Sequence, residues 1–205
     1  MQSDCWYNMA LTFIPTIGPI TRRALLEEFT LSKNVFNASK KDLLQVKGIG
    51  EKIVNEILQW NNPSQVDAEY AFIQKHQITP LFITDANYPQ KLLECPDAPT
   101  LLYYKGTANL NASKILSIVG TRMPTQYGHY IIEDCLKNMP KDVLIVSGLA
   151  LGIDTIAHQT ALVNGLNTVG VLAHGLDEIY PPPNKILAKQ MLQHGGLLTE
   201  FNCKT

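Results

Sequence analysis

The stretch VLIVSGLALGIDTIAH (143–158) decides how this chain is read. Four β-forming residues, Val143 to Val146, run straight into Ser147 and Gly148. A second glycine, Gly152, follows, and Asp154 opens a segment with helical spacing. A strand, a glycine-bearing loop and a helix in that order make the first half of a βαβ unit. Three uses of such a loop are open: a nucleotide-cofactor loop, a catalytic Asp–His pair, or a phosphate cradle. Gly148 and Gly152 have GxxxG spacing. That is neither the GxGxxG of dinucleotide folds nor a Walker A loop, since no Lys-Ser/Thr follows. Ser147 offers a hydroxyl, and the loop amides can form an anion nest. Asp154 reads as the N-cap of the next helix, taking N–H bonds from its first turn and so shaping the loop. His158 stands four residues on, on the same face, within reach of Asp154. No obvious nucleophile accompanies the pair, which disfavours catalysis.

The same alternation continues on both sides. KILSIVG (114–120) and TVGVLAHG (168–175) read as further strands, and GGLLTEF (195–201) begins a fourth. Between them, residues 125–138 carry Tyr130, Ile131, Cys135 and Leu136 at helical spacing. Residues 154–164 place Ile156, Ala157, Ala161 and Leu162 inward, and 184–194 form a third helix. Upstream, 68–76 reads as a short helix, 78–84 as a strand, 88–93 as a short helix and 99–106 as an extended segment. Short apolar strands alternating with helices predict an α/β fold, a Rossmann-like doubly wound parallel sheet. Ligands of such sheets sit beyond the carboxyl ends of the strands, near a topological switch point. Three loops occupy those ends: 120–125, 147–154 and 173–184.

The first of these loops, GTRMPT, supplies the charge. Gly120 permits a sharp turn off the strand. Thr121 adds a hydroxyl, and Arg122 brings a guanidinium to the sheet's edge near a helix N-terminus. That combination suits a phosphate. In the third loop, prolines stiffen the approach to a helix, Asn184 is a natural N-cap, and Lys185 points its charge toward the same edge.

The N-terminal region has a different period. LTFIPTIGPITRRALL (11–26) and LLQVKGIGEKIVNEIL (43–58) align with an offset of 32. Leu11 matches Leu43, Ile14 Val46, Ile17 Ile49, Gly18 Gly50, and Leu25 Ile57. The pattern resembles a tandem helix-hairpin-helix of the SAM-like kind, a small all-α domain. Its second hairpin, with Gly48, Gly50 and Lys52, leaves amides free at a helix N-terminus as a possible second DNA contact. The polar stretch NNPSQVD (61–67) reads as a linker, giving domains of 1–65 and 66–205.

Bulk properties exclude several classes. The chain has 17 Lys/Arg against 18 Asp/Glu, a net charge of -1, so a nucleic-acid partner needs a local basic patch. The four cysteines, Cys5, Cys95, Cys135 and Cys203, are far apart and show no CxxC spacing, which argues against a zinc site or a disulfide framework. No metal and no cofactor is expected. Residues 1–20 lack a signal peptide's basic start and are broken by Pro15 and Pro19. No apolar run approaches the ~20 residues that span a bilayer.

Taken in order, SIVGTRMPTQYG (117–128), VSGLALGIDTIAHQTAL (146–162), TVGVLAHGLDEIYPPPN (168–184) and GGLLTEF (195–201) resemble the DNA-processing protein A (DprA/Smf) family. The upstream YPQKLLECPDAPTLLYYKG (88–106) is similar to its lead-in. The resemblance implies a cytoplasmic bacterial protein that binds single-stranded DNA without sequence preference. It implies protection of incoming strands in natural transformation, loading of a RecA-type recombinase, a homodimer through the Rossmann-like domain, and no enzymatic activity. It places Arg122 of the G-[ST]-R motif on DNA phosphate, beside Ser147, Gly148, Gly152, Ile153 and Asp154 of the second loop. Gly120, Thr121 and Lys185 complete the expected phosphate site, with Asp154, His158 and Asn184 shaping it. Family members continue beyond the equivalent of Thr205, so the second domain is expected to be truncated. An alternative is a Rossmann-like nucleotide phosphoribohydrolase resembling lysine decarboxylases, although its PGGxGTxxE motif is missing. Another is a protein-docking module with a vestigial pocket.

Overall fold

The structure is a computed structural model that describes residues 3–204. It divides into two compact units. The first comprises the N-terminal residues through Thr84, together with Lys91–Leu101. Its helices are α1 (Asp4–Thr12), α2 (Pro19–Phe29), α3 (Ser32–Asn37), α4 (Lys40–Gln45), α5 (Glu51–Gln59) and α6 (Pro63–Lys75), followed by strand β1 (Thr79–Phe82). The sequence repeat is realised as two hairpins, α1–α2 and α4–α5. In each, an isoleucine amide closes the turn: Ile17 N–H to the Ile14 carbonyl at 3.0 Å, and Ile49 N–H to the Val46 carbonyl at 3.2 Å. In each, an extended glycine, Gly18 or Gly50, caps the second helix. The apolar residues matched between the copies all lie in one buried cluster. The offset of 32 is therefore a packing repeat.

The linker expected over 61–67 is the start of α6. Asn62 is its N-cap and Pro63 its first residue, a position where the missing proline N–H costs nothing. Val66 and Ile73 are buried. The stretch is polar because one face of a helix is exposed, and the boundary expected near residue 65 falls inside the first unit.

The second unit comprises Asp85–Gln90 and the chain from Leu102 onward. It contains β2 (Leu101–Gly106), β3 (Lys114–Ser117), α7 (Gln126–Lys137), β4 (Val143–Ser147), α8 (Ile153–Val163), β5 (Asn167–Leu172), α9 (Lys185–Met191) and β6 (Gly195–Thr199). Within this unit the strand order is β2-β6-β5-β4-β3. Strands β3 to β6 pair in parallel, and β2 pairs antiparallel to β6, with Tyr103 opposite Thr199. The parallel strands follow chain order without reversal. The site is therefore placed by three successive carboxyl-end loops and not by a crevice at a switch point. Right-handed crossovers that all step in one direction put α7, α8 and α9 on one face.

One helix face differs from its sequence reading. On α7 the core takes Ile132 and Leu136, joined by Met139 just beyond the helix, while Tyr130, Ile131 and Cys135 are exposed. The inward spacing on the helix is i, i+4 from Ile132. No helix among the described residues is long and apolar enough to cross a membrane.

Candidate functional site

The loop after β4 is built around one carboxylate. The Asp154 Oδ2 atom accepts N–H bonds from Gly148 at 3.1 Å and Ala150 at 3.3 Å. Asp154 is not the N-cap of α8; that residue is Gly152, and Asp154 lies inside the first turn with its side chain reaching back over the loop. Its carboxylate gathers the loop amides from inside the helix. The Gly148 amide is occupied in the process and is not part of an open anion nest.

Gly152 adopts φ +84° and ψ -127°, backbone reserved for glycine. A Cβ there would lie 2.3 Å from the Thr121 carbonyl oxygen and 2.7 Å from the Arg122 Cα. The first loop thus rests directly on the second. The Ile153 N–H donates to the Thr121 carbonyl at 3.1 Å and pins the contact. Ile153 itself is a core residue whose side chain passes over Gly120, within 2.7 Å of where a Cβ would stand. Ile153 is a support for the site and not a phosphate ligand.

Ser147 departs from expectation in the same way. Its buried hydroxyl donates to the Ile118 carbonyl at 2.6 Å, tying β4 to the end of β3. Asn184 is an N-cap by position, yet its side chain makes no cap bond. Its Nδ2 donates to the Leu149 carbonyl and the Thr155 hydroxyl, both at 2.8 Å. That buried amide ties the third loop to the second.

His158 is fully buried and forms no pair with Asp154. Its Nδ1 lies 2.7 Å from the Thr168 Oγ1, and that hydroxyl donates to the Ile145 carbonyl at 3.2 Å. With the hydroxyl proton directed at that carbonyl, the Thr168 oxygen is left to accept from Nδ1–H. Burial pushes the imidazole pKa down to about 4. The Nε2 atom is buried with no hydrogen-bond partner among the described residues. His158 buttresses α8 against β5 and does not reach solvent.

Above this scaffold, the loops enclose an open hollow of about 660 Å³. Arg122, exposed, lines it and makes no ion pair or side-chain hydrogen bond among the described residues. Thr121 is also exposed, its hydroxyl accepting the Met123 N–H at 3.2 Å. Leu151 and Tyr180, both largely exposed, give apolar and aromatic walls. His174, Asp177 and Glu178 also line the hollow, and sequence reasoning missed them. All three lie in the loop flagged at 173–184, which is where the signal was. Lys185 lines a neighbouring hollow and not this one. A free guanidinium facing aromatic and apolar surface suits an anion that carries a flat ring: bidentate bonds hold the one and stacking the other.

In the first unit, α5 has Gly50 as a cap with no side-chain bond, and Gly48 sits at φ +81°. Lys52 is exposed, while Glu51 pairs with Lys40 at 3.5 Å. In the first hairpin the Thr16 hydroxyl is hydrogen-bonded to Glu56.

Comparison with known proteins gives consistent likenesses. The family model for DNA recombination-mediator protein A matches residues 79–205, and the model for the SAM-like helix-hairpin-helix tandem matches 9–59. Protein Smf of a Synechocystis species is 37% identical over 98% of this chain and 52% of its own length. The DNA processing protein DprA of Streptococcus pneumoniae is 33% identical over 80% of this chain and 63% of its own. The chain thus spans about half to two thirds of these relatives. The X-ray structure of the pneumococcal DprA superimposes with a TM-score of 0.77 at 27% identity, covering 98% of this chain and 69% of that one. A structure of DprA from Helicobacter pylori, described for its unique single-stranded DNA binding mode, matches with a TM-score of 0.53 at 31% identity. It covers 62% of this chain and 57% of its own.

Proposed function

We propose, from the premise that this chain belongs to the DNA recombination-mediator protein A family, that it binds single-stranded DNA without sequence preference. The binding surface is the hollow at the carboxyl ends of β3, β4 and β5. One observation carries the reading: Arg122 is an exposed guanidinium with no ion pair or side-chain hydrogen bond among the described residues, on a loop that Gly152 and Ile153 hold rigidly in place. Arg122 takes a phosphate oxygen pair, with Gly120 and Thr121 shaping its turn. Tyr180 and Leu151 offer a stacking surface that every base can use. The surface binds and does not catalyse: Asp154 is engaged by loop amides and His158 is sealed against Thr168.

The wider role follows the family. The protein protects strands during natural transformation in the cytoplasm, loads a RecA-type recombinase, and works as a homodimer through its Rossmann-like domain. The hairpin of Gly48, Gly50 and Lys52 is a second, weaker phosphate contact.

The test is fluorescence anisotropy with labelled oligo-dT and with mixed-sequence strands. Arg122→Ala weakens binding to all of them alike. An unchanged affinity removes Arg122 from the site. Lys52→Gln produces a smaller loss, and no loss removes the hairpin from the interface.

A further inference from the structure

We propose that a second anion-binding hollow, built by Lys105, Lys185 and Lys189, lies beside the Arg122 site and takes another phosphodiester of the same bound strand. The proposal rests on the single-stranded DNA reading above. The hollow measures about 560 Å³, and its apolar floor includes Leu192 and Leu197. Lys105 stands directly opposite Leu197 across the β2–β6 ladder, and opposite residues share a sheet face. Leu197 packs with Ala188 and Met191 of α9, so Lys105 emerges on the α9 side. Lys185 and Lys189 are one turn apart on that helix and project together.

None of the three amines makes an ion pair or side-chain hydrogen bond among the described residues. Like charges one turn apart on a helix repel, and a third amine across the hollow adds to that repulsion. An anion relieves it. Ammonium groups act as point charges toward phosphate and need no fixed fork geometry.

The two hollows share a wall. Asp177 and Glu178 line both. A phosphate cannot rest on that acidic ridge, so a strand crossing it sets phosphates on either side, one at Arg122 and one among the lysines. Sugar and base pass over the ridge, where carboxylates accept hydrogen bonds from base N–H groups, thymine N3–H included. Continuity with the Arg122 hollow favours a DNA strand over an acidic protein as the occupant.

The experiment uses the whole chain, oligo-dT anisotropy and a salt series on wild type, Arg122→Ala, Lys105→Gln/Lys189→Gln and Lys189→Arg. Each phosphate contact to a single strand contributes about 0.7 to the slope of log affinity against log salt, or about fivefold in affinity at 0.1 M. The double variant removes that one contact and therefore lowers the slope by about 0.7 and the affinity roughly fivefold. Lys189→Arg keeps the charge and the slope. Lys189 is exposed, so Lys189→Gln alone provides the measurement if the double variant fails to fold, with a smaller slope loss in the same direction. If wild type binds, Arg122→Ala weakens it and the lysine variants change nothing, the second hollow is wrong and the first stands. If they lose affinity only for an acidic peptide, the occupant is a protein and the proposal also fails. If wild type does not bind, both readings fall.

Discussion

Replacing Gly152 with alanine attacks the contact on which the site's position depends. The backbone there is at φ +84°, ψ -127°, a region that L side chains rarely adopt. Holding a non-glycine residue in such backbone costs about 1–3 kcal/mol. The added methyl would also meet the Thr121 carbonyl oxygen at 2.3 Å and the Arg122 carbonyl carbon and Cα at 2.7 Å. These are backbone atoms, which no rotamer change moves away. Overpacking of this kind adds about 1–3 kcal/mol, so the expected loss is about 2–6 kcal/mol. The alternative is a displaced Thr121–Arg122 segment, which moves the guanidinium out of the hollow and weakens DNA binding much as Arg122→Ala does. Two assays read these outcomes: amide exchange over β3, β4 and β5, and oligo-dT anisotropy. Tryptophan fluorescence is unsuitable because Trp6 and Trp60 both lie in the first unit. Gly148→Ala is the milder comparison, since its Cβ would clash only with the Asp154 Oδ2 at 2.9 Å, a side-chain atom that yields at the cost of its loop-amide bonds while the backbone stays in place. Its effect is smaller. Unchanged exchange protection together with unchanged affinity in Gly152→Ala would refute the packing argument.

Other substitutions test the scaffold separately. Asp154→Asn puts an amide group among the loop N–H donors and lowers stability by about 1–3 kcal/mol, read by urea unfolding followed by circular dichroism. Ser147→Ala leaves the buried Ile118 carbonyl without its hydroxyl donor and costs about 1–2 kcal/mol by the same measurement, with no change in the salt slope of DNA binding. His158 gives a pH signature. Its folded pKa of about 4 lies below the ordinary 6.5, so between those values the unfolded chain binds the extra proton. Stability contributed by the neutral ring is present above pH 6.5 and lost progressively as pH falls through 4, by about 3 kcal/mol in all. His158→Leu flattens that part of the pH profile; a profile with the same slope places the titrating group elsewhere.

Much of this was legible because periodicity carries it. The 32-residue repeat, the βαβ alternation and the three carboxyl-end loops all follow from where apolar residues recur. Arg122 stood out because a strand, a glycine and an arginine leave little choice about where the guanidinium goes. The errors have physical causes. Ser147 follows Val143 and Ile145 at period two, and both of those pack into the helix-side core. Strand parity therefore points its hydroxyl inward, a signal outweighed by the residue's polar character. Asp154 looked like an N-cap because acidic residues favour helix starts, yet the conformation of Gly152 moves the cap two residues earlier. The linker at 61–67 was judged by polarity, although Asn-Pro followed by a helical period is itself a start signal. Other features have no local sequence signal. The Asn184 amide reaches Leu149 across 35 positions, and the meeting of Lys105 with α9 depends on β2 pairing antiparallel to β6.

The central claim is that an exposed arginine on a glycine-seated loop makes this chain a backbone-reading binder of single strands. The most direct measurement is a set of binding isotherms on this 205-residue chain, with oligo-dT and a mixed-sequence strand, across a range of salt concentrations. The account predicts similar affinity for both strands and a linear fall of log affinity with log salt. Absence of binding at low salt, or binding indifferent to salt, would contradict it.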